Sequence, residues 1–481
     1  MKDLLGDTPL VIVSNREPYI HEFSGDTIRC VAPASGLTTA LDPVMRACGG
    51  TWIAHGSGTA DQKVVDADDK VAVPPEEPCY HLRRVWLTKE QEEGYYYGFA
   101  NQALWPLCHV AYTRPLFNEA HWNRYREVNE LFADAVCQEV GDHRAFVFVQ
   151  DYHLALLPRI LKQRLPKAIV AQFWHIPWPN PEVFRILPWQ EDVLDGLLGN
   201  DLLGFHIQYH CNNFLETVDR TLEARVDRER HGVVRGGHRT VVRPFPISID
   251  FDRVSQDASS GEVTEEMDRL IHALGLHDRL VGFGLDRFDY TKGIPERLRA
   301  YGRFLEKYPE HRGRVVFIQA GTQSRIHIDA YQRLNTEVDD LVEELNWKYG
   351  QADWQPIVLM RNGVSQISLL ALRRLAHFCV VSSLHDGMNL VAKEFVAARS
   401  DEDGVLILSP FTGAARELTD ALLVNPYATD RFADVIKEAV DMPPEERRLR
   451  MRRMRKTVQE NNVYRWAEGI VRELSRLGER V

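Results

Sequence analysis

The sequence contains few cysteines, and they do not form a disulfide framework or a zinc ribbon. Only seven of its 481 residues are cysteine. They are scattered along the chain, and no two of them make a CxxC pair. Small secreted folds depend on dense cysteine pairing, whereas a chain this long can bury a large core without it. The cysteine content therefore favours a reducing compartment, and we expect a cytoplasmic protein.

Long hydrophobic runs and an excess of basic residues are also missing. No stretch approaches the ~20 apolar residues that a membrane helix requires. The first seven residues are too acidic and too poor in apolar residues to predict a signal peptide. Lys and Arg number 58 against 69 Asp and Glu, which gives a net charge of −11. Because an acidic chain has no global attraction for nucleic acid or anionic membranes, we expect neither as a partner.

Several sequence motifs of catalysis are absent as well. The chain has no GxxxxGK[ST] loop, no HExxH and no GxSxG. Asp286 and Asp289 are spaced differently from the DxD of haloacid-type phosphatases and of metal-dependent glycosyltransferases. We therefore expect no bound metal, no cofactor and no phosphatase activity.

Short β-branched runs alternate with amphipathic stretches along the whole chain. This alternation predicts an α/β fold in which helices cover parallel sheets. In the first half we predict strands at residues 10–14, 52–55, 145–150, 168–174 and 202–206. In the second half we predict strands at 280–285, 315–320, 357–360, 378–382 and 405–409. The predicted helices include 119–139, 295–308, 327–349, 365–376 and 390–398.

A short apolar segment with two prolines, Pro244 and Pro246, separates the two series of strands. Such a segment is typical of a linker between domains. We predict a first lobe over residues 1–246 and a second lobe over 247–462. A final helix within 463–481 is a candidate to pack back on the first lobe. In α/β lobes ligands usually bind at the carboxyl ends of the strands.

Polar residues follow three predicted strands of the first lobe. Arg16 ends the run Ser14-Asn15-Arg16, where a guanidinium can hold a phosphate through two parallel bonds. A loop with Gly25 follows it. Asp151 and His175 follow two later strands and suit sugar hydroxyls. The alternatives are that Arg16 is merely exposed and that His175 is a capping or core residue.

An aromatic run over residues 95–106 fits neither a two-residue nor a helical period well. Aromatic faces stack on sugar C–H surfaces, and the hydroxyl of a tyrosine reaches polar partners. Core packing of these rings is the alternative and holds for some of them.

Two further motifs stand in the second lobe. Arg287 and Lys292 lie five residues apart after a strand, and two crowded cations favour an anion such as a diphosphate. The alternative is ion pairing of these cations with neighbouring aspartates. The run 382–394 combines a Gly turn with a helix that begins at about Asn389, and Asp386 and Glu394 suit sugar and ribose hydroxyls. Its alternative is a helix cap with a surface glutamate.

These motifs, in this order and with these gaps, resemble the trehalose-6-phosphate synthase family, the retaining GT-B enzymes of glycosyltransferase family 20. The resemblance runs from about residue 10 to residue 477. It implies two Rossmann-like lobes whose parallel sheets face each other across a cleft, the first binding the acceptor and the second the nucleotide sugar. It further implies transfer of glucose from UDP-glucose, or another NDP-glucose, to glucose 6-phosphate. The products would be α,α-trehalose 6-phosphate and UDP, and members are often homodimers or homotetramers.

The resemblance also implies residue roles. It assigns the acceptor to Arg16, Trp52, Tyr96, Trp105, Asp151, Ile176 and Arg325. It assigns the donor to Ser35, Gly36, His175, Arg287, Lys292, Val364, Asp386, Gly387, Met388, Asn389, Leu390, Val391 and Glu394. The residues expected to act in catalysis are Asp151, His175, Arg287, Lys292 and Asp386. No side-chain nucleophile is implied, because in the family the leaving phosphate accepts the proton of the acceptor.

The chain departs from the family pattern at four places. The paired glycine of the first loop is Ser35-Gly36, His385 stands where arginine is expected, and residues 17–31 and 55–58 differ. These departures concern substrate identity more than fold. One alternative function is therefore a glucosylglycerol-phosphate synthase that uses glycerol 3-phosphate. An alternative of another class is a sugar-phosphate sensor that binds without turnover.

Overall fold

Two large β-sheets organise the chain, as the alternation of strands and helices predicts. A computed structural model describes residues 5–6, 8–33, 36–361 and 363–479. It separates into unit 1, Met1–Ile247 with Tyr464–Val481, and unit 2, Ser248–Val463. Within the described residues, no helix is both long enough and apolar enough to span a membrane.

In the part of the chain that the structure describes, the sheet of unit 1 has ten strands in the order β10-β11-β12-β9-β8-β7-β1-β4-β6-β5. The seven strands from β12 to β6 run parallel, and antiparallel strands close both edges. The strands of the unit, including a separate hairpin, are β1 Leu10–Ser14, β2 Ile20–Ser24, β3 Thr27–Val31, β4 Thr51–His55, β5 Lys70–Val73, β6 Tyr80–Val85, β7 Phe146–Gln150, β8 Ile169–Phe173, β9 Leu202–Phe205, β10 Arg225–Asp227, β11 Gly232–Arg235 and β12 His238–Pro244. Strands β1, β7 and β8 are buried along their whole length, as parallel strands covered on both faces require.

Helices cover this sheet. They are α1 Gly36–Cys48, α2 Asp61–Val64, α3 Lys89–Glu92, α4 Trp105–His109, α5 Glu119–Val140, α6 Leu157–Arg164, α7 Pro181–Phe184, α8 Gln190–Leu197, α9 Gln208–Thr221 and α18 Val463–Gly478, with a π-helix over Glu93–Leu104 and a 3-10 turn over Tyr152–Leu154. The chain-terminal α18 packs its Trp466 ring against Phe148 and Phe173 of the unit 1 sheet, at centroid distances of 6.4 and 5.3 Å.

One expectation for unit 1 needs correction, and one segment for which no element was predicted proves to be helical. The segment after Arg16 is not simply a loop, because β2 and β3 form an antiparallel hairpin in which Phe23 faces Ile28 across the strands. The aromatic run that fitted no period is a π-helix. A π-helix closes i→i+5 hydrogen bonds and has its own period, so neither template matched it.

Among its described residues, unit 2 has a sheet of six parallel strands in the order β15-β14-β13-β16-β17-β18. They are β13 Leu280–Phe288, β14 Val315–Gln323, β15 Ile357–Arg361, β16 Phe378–Val381, β17 Val405–Leu408 and β18 Leu422–Leu423. The helices are α10 Phe251–Ala258, α11 Gly261–Ala273, α12 Ile294–Lys307, α13 Asp329–Tyr349, α14 Gln366–Leu375, α15 Leu390–Ala398, α16 Thr429–Asp441 and α17 Pro444–Glu460, with 3-10 turns over Tyr290–Lys292, Pro309–His311 and Gly413–Arg416. The predicted strands and helices of this half match these elements to within three residues at each end.

Candidate active site

In each unit the predicted residues lie where the strand order reverses. The chain leaves β1 toward β4 on one side and later returns to β7 on the other. In unit 2 it leaves β13 toward β14 and later adds β16 on the opposite side. At such a switch point the loops diverge and leave a crevice at the carboxyl ends of the strands. We therefore describe the two switch points in turn.

At the end of β1, Arg16 is exposed beside the hydroxyl of Tyr96. The Nη2 atom of Arg16 lies 3.4 Å from the Tyr96 Oη. Ser14 Oγ donates to the carbonyl of Arg16 at 2.6 Å, and it accepts a bond from Trp52 Nε1 at 2.8 Å. Trp52 has no exposed surface, so it supports the Arg16 turn from beneath. The expected contact of Trp52 with the acceptor stays a prediction.

A cavity of about 170 Å³ opens at this place, and its lining includes Arg16, Tyr96 and Glu17. Beneath it the guanidinium of Arg84 lies between two carboxylates, at 2.9 Å from Glu17 and 2.8 Å from Asp61. Glu17 also accepts bonds from the amide and hydroxyl of Ser57 at 2.8 and 3.0 Å. One guanidinium cannot neutralise two buried carboxylates. Burial first, and then the neighbouring Asp61, raise the pKa of Glu17 to about 7.

The raised pKa of Glu17 predicts a loss of stability with rising pH. The folded state keeps a proton that the unfolded state releases above its ordinary pKa of 4.5, so stability falls as pH rises from about 4.5 to about 7. The difference corresponds to roughly 3 kcal/mol. The pKa of Asp61 is lowered to about 2, so Asp61 makes stability rise with pH, but only below its ordinary pKa of 3.8. We expect Glu17→Gln to remove this dependence.

The measurement is urea unfolding of the wild type and of Glu17→Gln at pH 5, 6, 7 and 8. The wild type should lose stability relative to the variant from pH 5 to about pH 7, with little further change at pH 8. The exposed Glu90→Gln provides the control, and its curve should run parallel to that of the wild type. Parallel curves for Glu17→Gln as well would contradict the prediction.

Asp151 and His175 are brought together at the ends of β7 and β8. The backbone N–H of His175 donates to Asp151 Oδ1 at 3.2 Å, and the N–H of Tyr152 donates to the same oxygen at 2.9 Å. Asp151 has a φ of 68°, which is costly for a residue with a Cβ and is typical of functional positions. Two amides thus hold the carboxylate at the edge of the sheet.

His175 lies at the same edge and remains uncharged. Burial, followed by the nearby His153, lowers the pKa of His175 to about 3. Its Nε2 lies 3.0 Å from the Gln150 Oε1. Because the amide nitrogen of Gln150 points toward the Phe148 carbonyl, this pair assigns the ring proton to Nε2. The Nδ1 atom of His175 is then the acceptor of the ring.

The π-helix and α4 carry the aromatic residues of the prediction. The Tyr96 ring stacks on His153 at a centroid distance of 5.5 Å. Asn101 donates to the Tyr96 carbonyl at 2.7 Å and accepts from the hydroxyl of Tyr152 at 2.8 Å, so it links the π-helix to the turn after Asp151. Trp105, the first residue of α4, is mostly buried, and the centroid of its ring lies 5.8 Å from that of the Tyr152 ring.

In unit 2, the turn after β13 brings Lys292 onto Asp386. The Lys292 Nζ atom lies 2.5 Å from the Asp386 Oδ2, and both side chains are about nine-tenths buried, with 12% and 13% exposed. Asp386 Oδ2 also accepts from Ser383 Oγ at 3.1 Å and from Asn389 Nδ2 at 3.2 Å. The alternative that Lys292 pairs with a sequence neighbour is thus wrong, because its carboxylate partner comes from the loop after β16.

Glycine makes this close approach possible. Gly293 has a φ of 62°, and a Cβ there would lie 2.2 Å from the carbonyl oxygen of Ser382. The Ser382 hydroxyl donates to the carbonyl of Gly293 at 2.8 Å. Leu384 N–H donates to the carbonyl of Thr291 at 2.7 Å. The two loops are therefore joined backbone to backbone.

Arg297 links three neighbouring strands of the unit 2 sheet through residues in or directly after them. It has no exposed surface. Its guanidinium donates to Asp286 at 2.7 Å, to the Gln319 Oε1 at 2.8 Å and to Ser382 Oγ at 3.0 Å. Burial raises the pKa of Asp286, an effect that the positive charge of Arg297 opposes. The sequence offered one signal for this residue: Arg297 falls on the same helical face as the buried Ile294.

Arg325 follows β14 and is mostly buried. Its Nη1 atom lies 2.6 Å from the hydroxyl of Tyr331 and 3.5 Å from Asp289 Oδ2. Burial would raise the pKa of Asp289, but the charges of Arg325 and Arg287 and a bond from the Thr291 amide lower it. No pattern in the sequence pointed to Tyr331.

The helix α15 begins at Leu390, with Asn389 as its N-cap. The Asn389 side chain accepts from the amide of Ala392 at 3.2 Å, and its φ is 76°. Glu394, one turn into the helix, is ion-paired with the buried Arg373 and remains partly exposed. The simple alternative of a lone surface glutamate is therefore wrong.

The other predicted residues are located as follows. Ser35 lies outside the described residues, and Gly36 is the first residue of α1. Ile176 is buried directly after His175. Val364 lies in the short segment between β15 and α14. Within the described residues, no three His, Cys, Asp or Glu side chains are grouped so as to hold a metal ion.

Comparison with known proteins agrees with this geometry. Residues 8–476 match the model of the family described as Glycosyltransferase family 20. The trehalose-6-phosphate synthase of Mycobacterium avium (strain 104) is 38% identical over 99% of this chain and 97% of its own length. That of Mycolicibacterium smegmatis is 37% identical over 98% of this chain and 94% of its own length.

Solved structures are similar over nearly the whole chain as well. One is described as trehalose-6-phosphate from E. coli bound with UDP-2-fluoro glucose; its TM-score is 0.87 at 31% identity, covering 97% of this chain and 99% of that one. Another is an alpha,alpha-trehalose-phosphate synthase (UDP-forming) from Burkholderia xenovorans in complex with glucose-6-phosphate. Its TM-score is 0.86 at 31% identity, with the same coverage of both chains.

Proposed function

The chain belongs to glycosyltransferase family 20, and from that premise we propose that it transfers glucose from UDP-glucose to glucose 6-phosphate, giving α,α-trehalose 6-phosphate and UDP. The fold is α/β of the GT-B type, with a Rossmann-like parallel sheet in each unit. The observation that carries the proposal is the contact of Lys292 with Asp386 at the switch point of unit 2.

This contact combines the two chemistries that a nucleotide sugar needs. An ammonium group favours the diphosphate, and a carboxylate accepts bonds from sugar hydroxyls. We assign the donor diphosphate to Lys292 and Arg287 and the donor glucose to Asp386. The first turn of α15 points backbone N–H groups toward the same end of the sheet, where an anion is favoured. We place the ribose on Glu394 and the uracil at the backbone of Val364.

We assign the acceptor to the switch point of unit 1 and to Arg325. Arg16, together with Tyr96, supplies an exposed cation and a hydroxyl for the phosphate. Asp151 is held by two amides at the sheet edge, and its carboxylate would bind acceptor hydroxyls. We infer that Trp105 and Ile176 shape the apolar side of this pocket. The domain roles that follow are acceptor binding over residues 1–246 and donor binding over 247–462.

The chemistry follows from where charge develops. When the glycosidic bond to UDP breaks, the sugar carbon becomes cationic and the leaving diphosphate gains negative charge. Fixed cations on the diphosphate bind this state more strongly than the ground state and so lower the barrier. The acceptor hydroxyl passes its proton to the leaving phosphate. His175, with a pKa of about 3, stays neutral and acts through its hydrogen bonds near the donor glucose.

We infer a cytoplasmic location from the sequence, because its seven cysteines are scattered and contain no CxxC pair. A homodimer or homotetramer stays a prediction. So does activity without a metal, for which Arg287 and Lys292 would supply the positive charge.

The proposal is tested by a matrix of donors and acceptors with product identification. UDP-glucose, ADP-glucose and GDP-glucose are each combined with glucose 6-phosphate, glycerol 3-phosphate and glucose. We expect UDP release and a phosphorylated disaccharide with UDP-glucose and glucose 6-phosphate. Turnover with glycerol 3-phosphate alone would favour the glucosylglycerol-phosphate alternative. Binding of both substrates without turnover would favour the sensor alternative.

Replacing Arg325 with alanine should raise the KM for glucose 6-phosphate by about tenfold or more, because one charged bond to the phosphate is lost. The KM for UDP-glucose should change little. Initial rates at varied acceptor and at varied donor concentrations measure both constants. An unchanged acceptor KM would argue against the assignment of Arg325.

A further inference from the structure

The hydroxyl of Tyr331 stands between a cation and an anion in unit 2. It accepts from Arg325 Nη1 at 2.6 Å and donates to Asp289 Oδ2 at 3.0 Å. The direct distance from Arg325 Nη1 to Asp289 Oδ2 is 3.5 Å. The guanidinium carbon also lies 5.6 Å from the centre of the Tyr331 ring. One tyrosine therefore contacts the arginine both through its hydroxyl and through its ring.

All three side chains are buried. Asp289 and Tyr331 have no exposed surface, and the Arg325 side chain is 4% exposed. The backbone of Arg325 has a φ of 50°, a region that is costly for a residue with a Cβ and persists only where neighbours hold it. The position of this guanidinium is thus determined by its surroundings and not by preference of the chain.

Asp289 itself is fixed by the turn that carries Lys292. Its Oδ1 accepts from the amide of Thr291 at 3.0 Å and from the Thr291 hydroxyl at 2.9 Å. Its other oxygen, Oδ2, faces Tyr331 and Arg325. A buried carboxylate with positive neighbours stays ionised and attracts the guanidinium. Arg325 would therefore form a closer ion pair with Asp289 Oδ2 if nothing stood between them.

We propose that Tyr331 is a positioning residue that keeps Arg325 from closing onto Asp289, so that the guanidinium is held ready for the phosphate of the acceptor. This inference rests on the proposed function, because that function assigns the acceptor phosphate to Arg325. The neutral Tyr331 hydroxyl accepts one N–H of the guanidinium at 2.6 Å. The charged Asp289 Oδ2 atom stays 3.5 Å from the same nitrogen. The positive charge of Arg325 is thereby stabilised in a buried place by a short bond to a neutral hydroxyl and a longer contact with a carboxylate.

The test is the isosteric Tyr331→Phe, which keeps the ring contact and removes the hydroxyl. We expect the KM and the Kd for glucose 6-phosphate to rise about tenfold, the usual effect of a lost bond to a charged group. The KM for UDP-glucose should stay within about twofold. With unphosphorylated glucose as acceptor, variant and wild type should react at equal rates, because no phosphate depends on Arg325.

A matched control is Tyr301→Phe, which removes another buried tyrosine hydroxyl of unit 2, bonded to the Val315 carbonyl at 2.9 Å. It should leave both KM values unchanged. The double variant Tyr331→Phe/Arg325→Ala should bind glucose 6-phosphate as weakly as Arg325→Ala alone, because the two residues act through one contact.

If Tyr331→Phe weakened the use of glucose 6-phosphate, glucose and UDP-glucose by the same factor, the inference would be overturned and the role of Tyr331 would be merely structural. Additive losses in the double variant would also overturn it. A different result would contradict the proposed function: calorimetry shows that the wild type binds glucose 6-phosphate, but the wild type releases no UDP. The ratio of Kd values between Tyr331→Phe and wild type would still decide the role of Tyr331.

Discussion

Replacing Lys292 with methionine is expected to lower kcat by about 100- to 1000-fold, the usual effect of losing one preorganised group that stabilises transition-state charge. The Lys292 ammonium lies 2.5 Å from Asp386 Oδ2 and is mostly buried. Because its position is already fixed, little reorganisation of the protein is needed when the diphosphate leaves. Its attraction is also poorly screened by water. Because it binds the leaving group more strongly than the intact donor, its loss should reduce kcat more than it raises the KM for UDP-glucose. The measurement is the initial rate of UDP release at saturating substrates.

The control for Lys292→Met is Lys307→Met. Lys307 is also a lysine of unit 2 in an ion pair, with Asp434, but both side chains are about one-third exposed. Its loss should leave kcat unchanged. Arg287→Ala should lower kcat by about tenfold or more for the same reason as Lys292→Met. Near-normal rates in Arg287→Ala and Lys292→Met together would refute the assignment of the diphosphate to these cations.

Replacing Arg297 with methionine is expected to lower the free energy of unfolding of unit 2 by about 3–5 kcal/mol, the usual cost of removing one partner of a buried ion pair. Asp286 would keep its burial and lose its 2.7 Å partner. Gln319 and Ser382 would each lose a bond that the guanidinium donates. Urea unfolding followed by tryptophan fluorescence and circular dichroism measures the change.

Arg299→Met is the matched control for Arg297→Met. Arg299 lies on the same helix, α12, and pairs with Glu337 on the surface, where both side chains are nearly half exposed. Its replacement should cost at most about 1 kcal/mol. Gly284→Ala offers an independent check, because its Cβ would lie 2.3 Å from Arg297 Nη1 and would displace the guanidinium. Equal stability of Arg297→Met and Arg299→Met would contradict the role of Arg297.

Much of the fold was predictable because the sequence patterns of strands and helices depend on residues that are close together in the chain. The predicted strand 10–14 coincides with β1, and the predicted helix 390–398 coincides with α15. Apolar runs of five residues and periodic helical faces need no knowledge of distant residues. The hairpin β2–β3 was missed because its strands are short and largely exposed, so burial left little pattern in them. The π-helix was missed because its period differs from both templates.

The candidate site divides in the same way. Arg16, Asp151 and His175 were identified because polar residues directly follow apolar strands, a local signal. The contact of Trp52 with the acceptor stays a prediction, because a tryptophan near the start of a strand can face the core or a pocket and the sequence does not distinguish the two. Arg297 and Tyr331 were missed because both sit on helices, where a buried polar residue is recognised only once its partners are known.

The sequence by itself determined the class of the fold, the order of the predicted strands along the chain and which polar residues follow those strands. These features depend on neighbours a few residues away. Only the tertiary structure decided how the charges are paired. Lys292 meets Asp386 across 94 positions of sequence, and Arg84 stands between Glu17 and Asp61. Such pairings depend on which strands become neighbours in a sheet, and burial then makes each unmatched charge too costly to leave unpaired.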